Sequence, residues 1–134
     1  MMNKKINCSI LTPERTLYEG DVDMVVVQAH DGEMGFMSGH SPLISELGIG
    51  EIRLKNANST EYFVIEGGIV EVRNNKIIIL AENALKKEEL DREDLQKRMN
   101  AIVVRKGQAS KSKERFEIQM EQIKLKARLK IALK

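Results

Sequence analysis

A chain of 134 residues with 42% hydrophobic content can build one ordinary domain or two small modules around a modest core, which excludes a large enzyme. Its formal net charge is only +2, but residues 1–87 carry 9 Lys and Arg against 12 Asp and Glu, whereas residues 88–134 carry 13 against 8. The lone Cys8 excludes an intramolecular disulfide and a cysteine metal site, and fits a reducing compartment.

The opening Met-Met-Asn-Lys-Lys-Ile-Asn lacks the apolar run of a signal peptide, and no stretch nears the roughly 20 apolar residues that span a bilayer. The expectation is a chain on the cytoplasmic face of a membrane, attached through other proteins. Up to about Ala81, apolar and β-branched runs of four to eight residues are cut by Gly, Pro, Asn and Asp, which predicts about ten short strands. The clearest runs are residues 6–11, 16–18, 23–29, 33–37, 43–47, 51–55, 60–65, 68–73 and 76–80. Many short strands without intervening helices imply a sandwich or flattened barrel. Asn74 and Asn75 between the last two runs predict a type I′ corner, because Asn tolerates positive φ at both central positions.

Near Glu88 the composition shifts to Lys, Glu, Leu, Arg and Gln, the residues of helices. Asp91 is a candidate N-cap, with Glu93 and Asp94 complementing the helix dipole in the first turn. Leu95, Met99 and Ile102 follow at helical spacing, and Gly107 after Arg105 and Lys106 predicts the helix end. The last segment alternates apolar and basic residues from Ile123 to Ile131, yet its residue types favour helix and no turn residue interrupts residues 108–134. As a helix it has two apolar faces, one with Phe116, Met120, Ile123 and Ala127, the other with Ile118, Leu125 and Leu129. Two such faces want two partners: the preceding helix, and either the strand module or another protein. The fold class expected is therefore α+β, a β-sandwich over residues 1–84 followed by an α-helical hairpin over residues 85–134.

The richest segment is residues 32–44, where Gly32, Gly35, Gly39 and Pro42 make tight corners that hold out Glu33, Met34, His40 and Ser41. His30, Asp31, Glu33 and His40 invite a metal site, but their spacing matches no zinc signature, and loop polarity explains them better. No G-x-S-x-G, phosphate-binding Gly-rich loop or Cys-His pairing is present. Gly67 and Gly68, inside a strand pattern, read as a bulge or close backbone contact. A cationic tail, with 12 basic residues from Gln96 onward against Glu114, Glu117 and Glu121, suits an acidic partner surface. Nucleic acid is the competing partner for that charge. Against it, aromatic residues make up only 4% of the chain, with no Trp and no basic strand interleaved with aromatics, so bases have little to stack on.

Gly32-Glu33-Met34-Gly35, Gly39-His40-Ser41-Pro42-Leu43 and Gly67-Gly68-Ile69-Val70-Glu71-Val72 occur here in one order. In that order they resemble the G-E-x-G, G-H-x-P-L and G-G-[IV]-x-E-V motifs of the epsilon subunit family of the rotary ATP synthase, over essentially the whole chain. The resemblance implies a non-catalytic central-stalk part, one copy per complex, that couples rotation of the membrane c-ring to the gamma subunit and the alpha/beta catalytic head, with no metal or cofactor of its own. It makes Glu33, Met34, Gly35, His40, Ser41 and Pro42 candidates for the c-ring and gamma interface, with the G-E-x-G turn resting on the ring and the sandwich flank on gamma. It also implies a hairpin that either folds on the sandwich or extends along gamma to restrain ATP hydrolysis. In that setting Arg105, Lys106, Lys113, Arg115, Lys124 and Arg128 are candidates for contact with the beta subunit. Some family members bind ATP through [IL]-D-x-x-R-A at the hairpin start. Here only Leu90 and Asp91 match, Asp94 stands where the family has Arg, and Leu95 where it has Ala, so ATP binding is not expected unless Arg92 or Arg98 substitutes. The alternatives from other classes are a β-sandwich ligand- or nucleic-acid-binding module with a basic helical arm, and, ranked last, a small metallohydrolase using His30, His40 and Glu33.

Overall fold

The computed structural model describes residues 4–29 and 32–134. The chain divides into two compact units, residues 1–87 and residues 88–134. The first holds eight strands: β1 (Ile6–Leu11), β2 (Thr16–Val22), β3 (Met24–Ala29), β4 (Gly32–Phe36), β5 (Leu43–Asn56), β6 (Ser59–Arg73), β7 (Lys76–Ala81) and β8 (Ala84–Lys86). The strands hydrogen-bond in the order β2-β1-β7-β6-β5-β3-β4, with β8 also on β6; β1 and β7 run parallel and all other pairs antiparallel.

A flat sheet in this order would hold β1 and β3 four strand spacings apart, roughly 19 Å. Yet Ile6, Cys8 and Ile10 of β1 share one buried cluster with Val25 and Val27 of β3 and Phe36 of β4. The sheet is therefore folded over on itself as a sandwich, and the fold lies in the β5–β6 ribbon. In β6 the core-facing residues are Phe63 and Ile65, then Val70 and Val72; in β5 they are Leu47, then Ile52 and Leu54. Side chains alternate with period two, so an odd step of five means that each strand changes face once. Both changes fall where the glycines are, since the pairing runs Leu47 with Gly68, then resumes at Ile49 with Glu66. Gly67 has φ +87° and Gly68 φ +149°, and a Cβ on Gly68 would lie 2.3 Å from the Leu80 carbonyl oxygen. The chain after β7 follows the same bend: the Glu82 amide donates to the Gly67 carbonyl and the Glu66 amide to the Asn83 carbonyl, both at 2.9 Å.

Glycines that break the apolar pattern in sequence are thus bends within two long strands. The runs 43–47 and 51–55 are one strand, as are 60–65 and 68–73, while β8 is an addition, so the sandwich has eight strands rather than about ten. Asn74 and Asn75 make the expected corner, with φ of 53° and 59°, and Arg73 pairs with Lys76 across it.

The second unit is α1 (Arg92–Gln108) and α2 (Ser112–Ala132). Asp91 caps α1, its Oδ1 accepting from the Asp94 amide at 3.1 Å. Gly107 does not terminate α1 as its position suggested. Glycine also adopts right-handed helical angles, and the break falls at Ala109, in extended conformation. Leu95 and Ile102 of α1 and Ile118 and Leu125 of α2 bury one another, with Met99 and Leu129 against them. Of the two apolar faces of α2, the one with Ile118, Leu125 and Leu129 meets α1, while Phe116 and Ile123 of the other are exposed.

Gly68→Ala should cost about 3 kcal/mol or more, because it adds backbone strain to a clash with main chain that cannot give way. Gly107→Ala, in a helix with open space around the added methyl, should instead stabilise by roughly 0.5–1 kcal/mol. Urea denaturation of both variants checks the contrast. Burial pushes the Cys8 thiol from 9.0 up to about 12. The folded chain therefore keeps this proton after the unfolded chain has lost it, so stability from the buried thiol is whole below pH 9.0 and is lost as pH rises toward about 12. Between those limits the wild type should lose stability faster than Cys8→Ala, as pH-dependent denaturation curves would record.

Candidate interaction site

β4 is an edge strand paired only with β3, with Glu33 opposite Gln28 and Phe36 opposite Val25. The candidate residues run along it and into the loop beyond its end. Near its start the Glu33 side chain is 52% exposed, and its Oε1 accepts from Arg53 Nη2 of β5 at 3.1 Å. Arg53 Nη1 lies 3.5 Å from Oε2 of Glu51, a carboxylate only 5% exposed, and the Glu51 amide donates to Gln28 Oε1 at 2.9 Å. The guanidinium between two carboxylates offsets their mutual repulsion and fixes the direction in which Glu33 points. Met34 is half-buried against the sandwich core, and Gly35 leaves room for the Met24 methyl, which an added Cβ would meet at 2.6 Å.

At the other end, about 10 Å further along the strand, the chain turns through residues 37–42. The His40 amide donates to the Met37 carbonyl at 3.1 Å, and Gly39 takes φ +85°, which a side chain would resist. The His40 ring sits edge-on to Phe36 with centroids 4.8 Å apart, and its Nδ1 lies 2.6 Å from the Ser41 carbonyl oxygen. A carbonyl only accepts, so Nδ1 carries the proton and the neutral ring offers Nε2 as an acceptor. Ser41 and Pro42 are exposed beside it.

Six candidate residues close in sequence thus run from Glu33 near the start of β4, through Met34 and Gly35 within the strand, to His40, Ser41 and Pro42 in the loop beyond its end. His30 and Asp31, the remaining members of the imagined metal site, lie outside the described residues; among those described, no three His, Cys, Asp or Glu side chains gather to hold a metal. Sequence reasoning missed Arg53, whose alternation with Ile52 and Leu54 marks it as outward-facing but does not reveal that β5 lies beside β3 and β4. It also noted Asn75 only as a turn residue.

In the second unit Lys113, Arg115 and Lys124 are exposed. Arg105 pairs with Glu121 at 3.4 Å and Lys106 donates to Gln122 at 3.2 Å, which ties α1 to α2 and leaves Arg105 more than half exposed. Arg128 is half-buried. At the hairpin start the Asp91 carboxylate is occupied as a cap, and Asp94 takes Arg98 in an i, i+4 pair at 3.8 Å. A phosphate there would meet Asp94 and would have to compete with it for Arg98.

Residues 5–87 match the family described as ATP synthase, Delta/Epsilon chain, beta-sandwich domain. The chain belongs to that family. Among its relatives, the ATP synthase epsilon chain of Priestia megaterium is 46% identical over 88 residues, 66% of each chain. That of Leptospira borgpetersenii is 36% identical over 91 residues, 68% of this chain and 72% of the relative. The match to the first of these thus spans about two thirds of its length. A chain of the Euglena gracilis mitochondrial ATP synthase, in an assembly of OSCP, F1 and c-ring, superposes with a TM-score of 0.84 over 97% of this chain and 82% of its own at 22% identity. One from the central stalk and c-ring of Tetrahymena thermophila mitochondrial ATP synthase gives 0.63 over 98% and 99% at 14% identity. These structures share the fold.

An exposed ion pair contributes about 0–1 kcal/mol, so Glu33→Ala should leave the midpoint of thermal unfolding within a few degrees of wild type. Calorimetry on the purified chain measures this directly, and a large fall would make Glu33 a structural residue instead of a presented one.

Proposed function

We propose that this chain is a central-stalk subunit of a proton-translocating ATP synthase, a non-catalytic part that couples the c-ring to the gamma subunit and whose helices restrain ATP hydrolysis. The observation that carries the reading is Glu33 near the start of β4 with the His40 loop beyond its end, on a bent sandwich of a family whose relatives are named as epsilon chains. A part that transmits torque must be gripped at more than one point and must not deform between them. A close-packed core supplies the stiffness. On this reading the Glu33 end meets the polar loops of the c-ring and the His40 loop meets gamma, each through exposed groups that set register and specificity more than affinity.

Among the described residues no helix is long and apolar enough to cross a membrane. The proposed location, which follows from the central-stalk reading, is the cytoplasmic face of the bacterial inner membrane, held there by the c-ring and gamma. The exposed cations Lys113, Arg115 and Lys124, with Arg105, Lys106 and Arg128, suit an acidic loop of the beta subunit when the hairpin extends toward the catalytic head. The exposed face of Phe116 and Ile123 suits a helix that must be stable in two settings. Asp94 on Arg98 and Asp91 engaged as a cap both disfavour a phosphate at the hairpin start, which supports a hairpin that does not depend on ATP.

In the reconstituted complex, Glu33→Ala and His40→Ala should each lower proton-driven ATP synthesis several-fold while the chain stays folded. Removal of residues 88–134 should raise ATP hydrolysis without loss of assembly. Undiminished synthesis in both point variants would remove the coupling role, and unchanged hydrolysis in the truncation would remove the restraint.

A further inference from the structure

Asn75 occupies the second central position of the β6–β7 corner with φ 59°, where glycine serves such a turn at least as well. Its side chain is thus surplus to the turn, yet both halves of its amide are engaged. Nδ2 donates to the Lys5 carbonyl at 2.9 Å, and Oδ1 accepts from the Gly39 amide at 3.0 Å. One orientation alone satisfies both, since a carbonyl cannot donate and a backbone amide cannot accept. The Asn75 carbonyl also accepts from the Asn7 amide at 3.2 Å. A single residue therefore joins three segments distant in sequence: the start of β1, the β6–β7 corner and the loop of residues 37–42.

Apart from the His40 ring against Phe36, the hydrogen bonds of that loop are otherwise internal. Among the described residues its other hydrogen bonds run between Met37 and His40 and between His40 and Ser41. Positive φ at Gly39 means that the backbone there has access to conformations on both sides of φ zero, so something must select one. The bond from Gly39 to Asn75 does so.

We propose that Asn75 is a positioning residue for the His40 loop, holding His40, Ser41 and Pro42 in the conformation that a protein partner meets. The partner part of this inference rests on the reading above, that the loop docks on gamma; the positional part concerns the chain alone. Asn75→Gly keeps the turn and removes both side-chain bonds. Asn75→Asp keeps tolerance of positive φ and the acceptor for Gly39, and replaces the donor to Lys5 by an anionic oxygen that the Lys5 carbonyl repels, so the tie to Lys5 is broken while the bond from Gly39 can persist.

In the full chain, hydrogen exchange followed by nuclear magnetic resonance should show the Gly39 amide exchanging about 5- to 10-fold faster in Asn75→Gly, the effect of losing one hydrogen bond. The amides of β6 and β7 should be unmoved, and Asn75→Asp should keep Gly39 at its wild-type rate. Affinity for purified gamma, measured by titration calorimetry, should fall by a similar factor in Asn75→Gly and recover in Asn75→Asp. Unchanged Gly39 exchange in Asn75→Gly overturns the positioning role, as does an equal loss of affinity in both variants while Gly39 stays protected in Asn75→Asp. If Gly39 responds as expected but His40→Ala binds gamma as well as wild type, docking through this loop is wrong while the positioning role stands.

Discussion

One two-stranded ribbon belongs to both layers of the sandwich, and every other strand is placed by it. β5 and β6 stay paired from Leu43 opposite Val72 to Asn56 opposite Ser59, and bend together between the Leu47–Gly68 and Ile49–Glu66 pairs, at Gly48 on one strand and Gly67 on the other. On one side of the bend β6 receives β7, on the other β8, and β5 receives β3. The bend requires a backbone at positive φ close against the Leu80 carbonyl, which only glycine permits. Without it the inward faces of Phe63 and Ile65 could not oppose those of Val70 and Val72 across one core, and Phe36 and Phe63, each worth about 3–5 kcal/mol when truncated to alanine, would lose their enclosure.

Folding the ribbon brings its free ends together, and polar side chains tie them there. Lys5 Nζ donates to Asn56 Oδ1 at 3.1 Å, the Asp23 amide donates to the same Oδ1 at 3.2 Å, and Asp23 Oδ2 accepts from the Ala57 amide at 2.7 Å. Asn75 acts in the same way for the neighbouring loop. These bonds are exposed except for the part-buried one from the Asp23 amide, and each contributes modestly, about 1 kcal/mol. Their consequence is geometric, because they turn corners that sterics merely permit into corners with one conformation. A surface that must meet a partner in one register depends on that more than on depth of core.

The helical unit obeys a different logic. Its one buried cluster, built on Leu95, Ile102, Ile118 and Leu125, is small, and Val103, Val104, Phe116 and Ile123 remain exposed. A pair of helices with so small a common core is marginal on its own. The Asp91 cap, the Arg98 to Asp94 pair and the Arg105 to Glu121 pair add only tenths of a kcal/mol to about one each. A unit of this kind is held by little beyond that cluster and these few pairs.

Local chemistry alone was enough to read the strand runs at β1 and β7, the Asn74–Asn75 corner, the Asp91 cap and the Leu95, Met99, Ile102 stripe, since each depends on neighbours within about seven residues. The motifs around Glu33, His40 and Gly67 were legible as well, and they pointed to the family. Gly67 and Gly68 were legible as a bulge or close backbone contact, but the breaks between the runs 43–47 and 51–55 and between 60–65 and 68–73 misled, because a segment that ends a strand and one that bends it look alike until the partner strand is known. Gly107 misled for a related reason, as glycine can continue a helix as well as stop it. Only the folded chain decided that Glu33 stands near the start of β4 with the His40 loop beyond its end, that Arg53 fixes Glu33, and that Asn75 reaches Gly39. Those depend on which strands lie side by side and where the ribbon folds, and such long-range pairing is set by burial of the whole core rather than by any local preference.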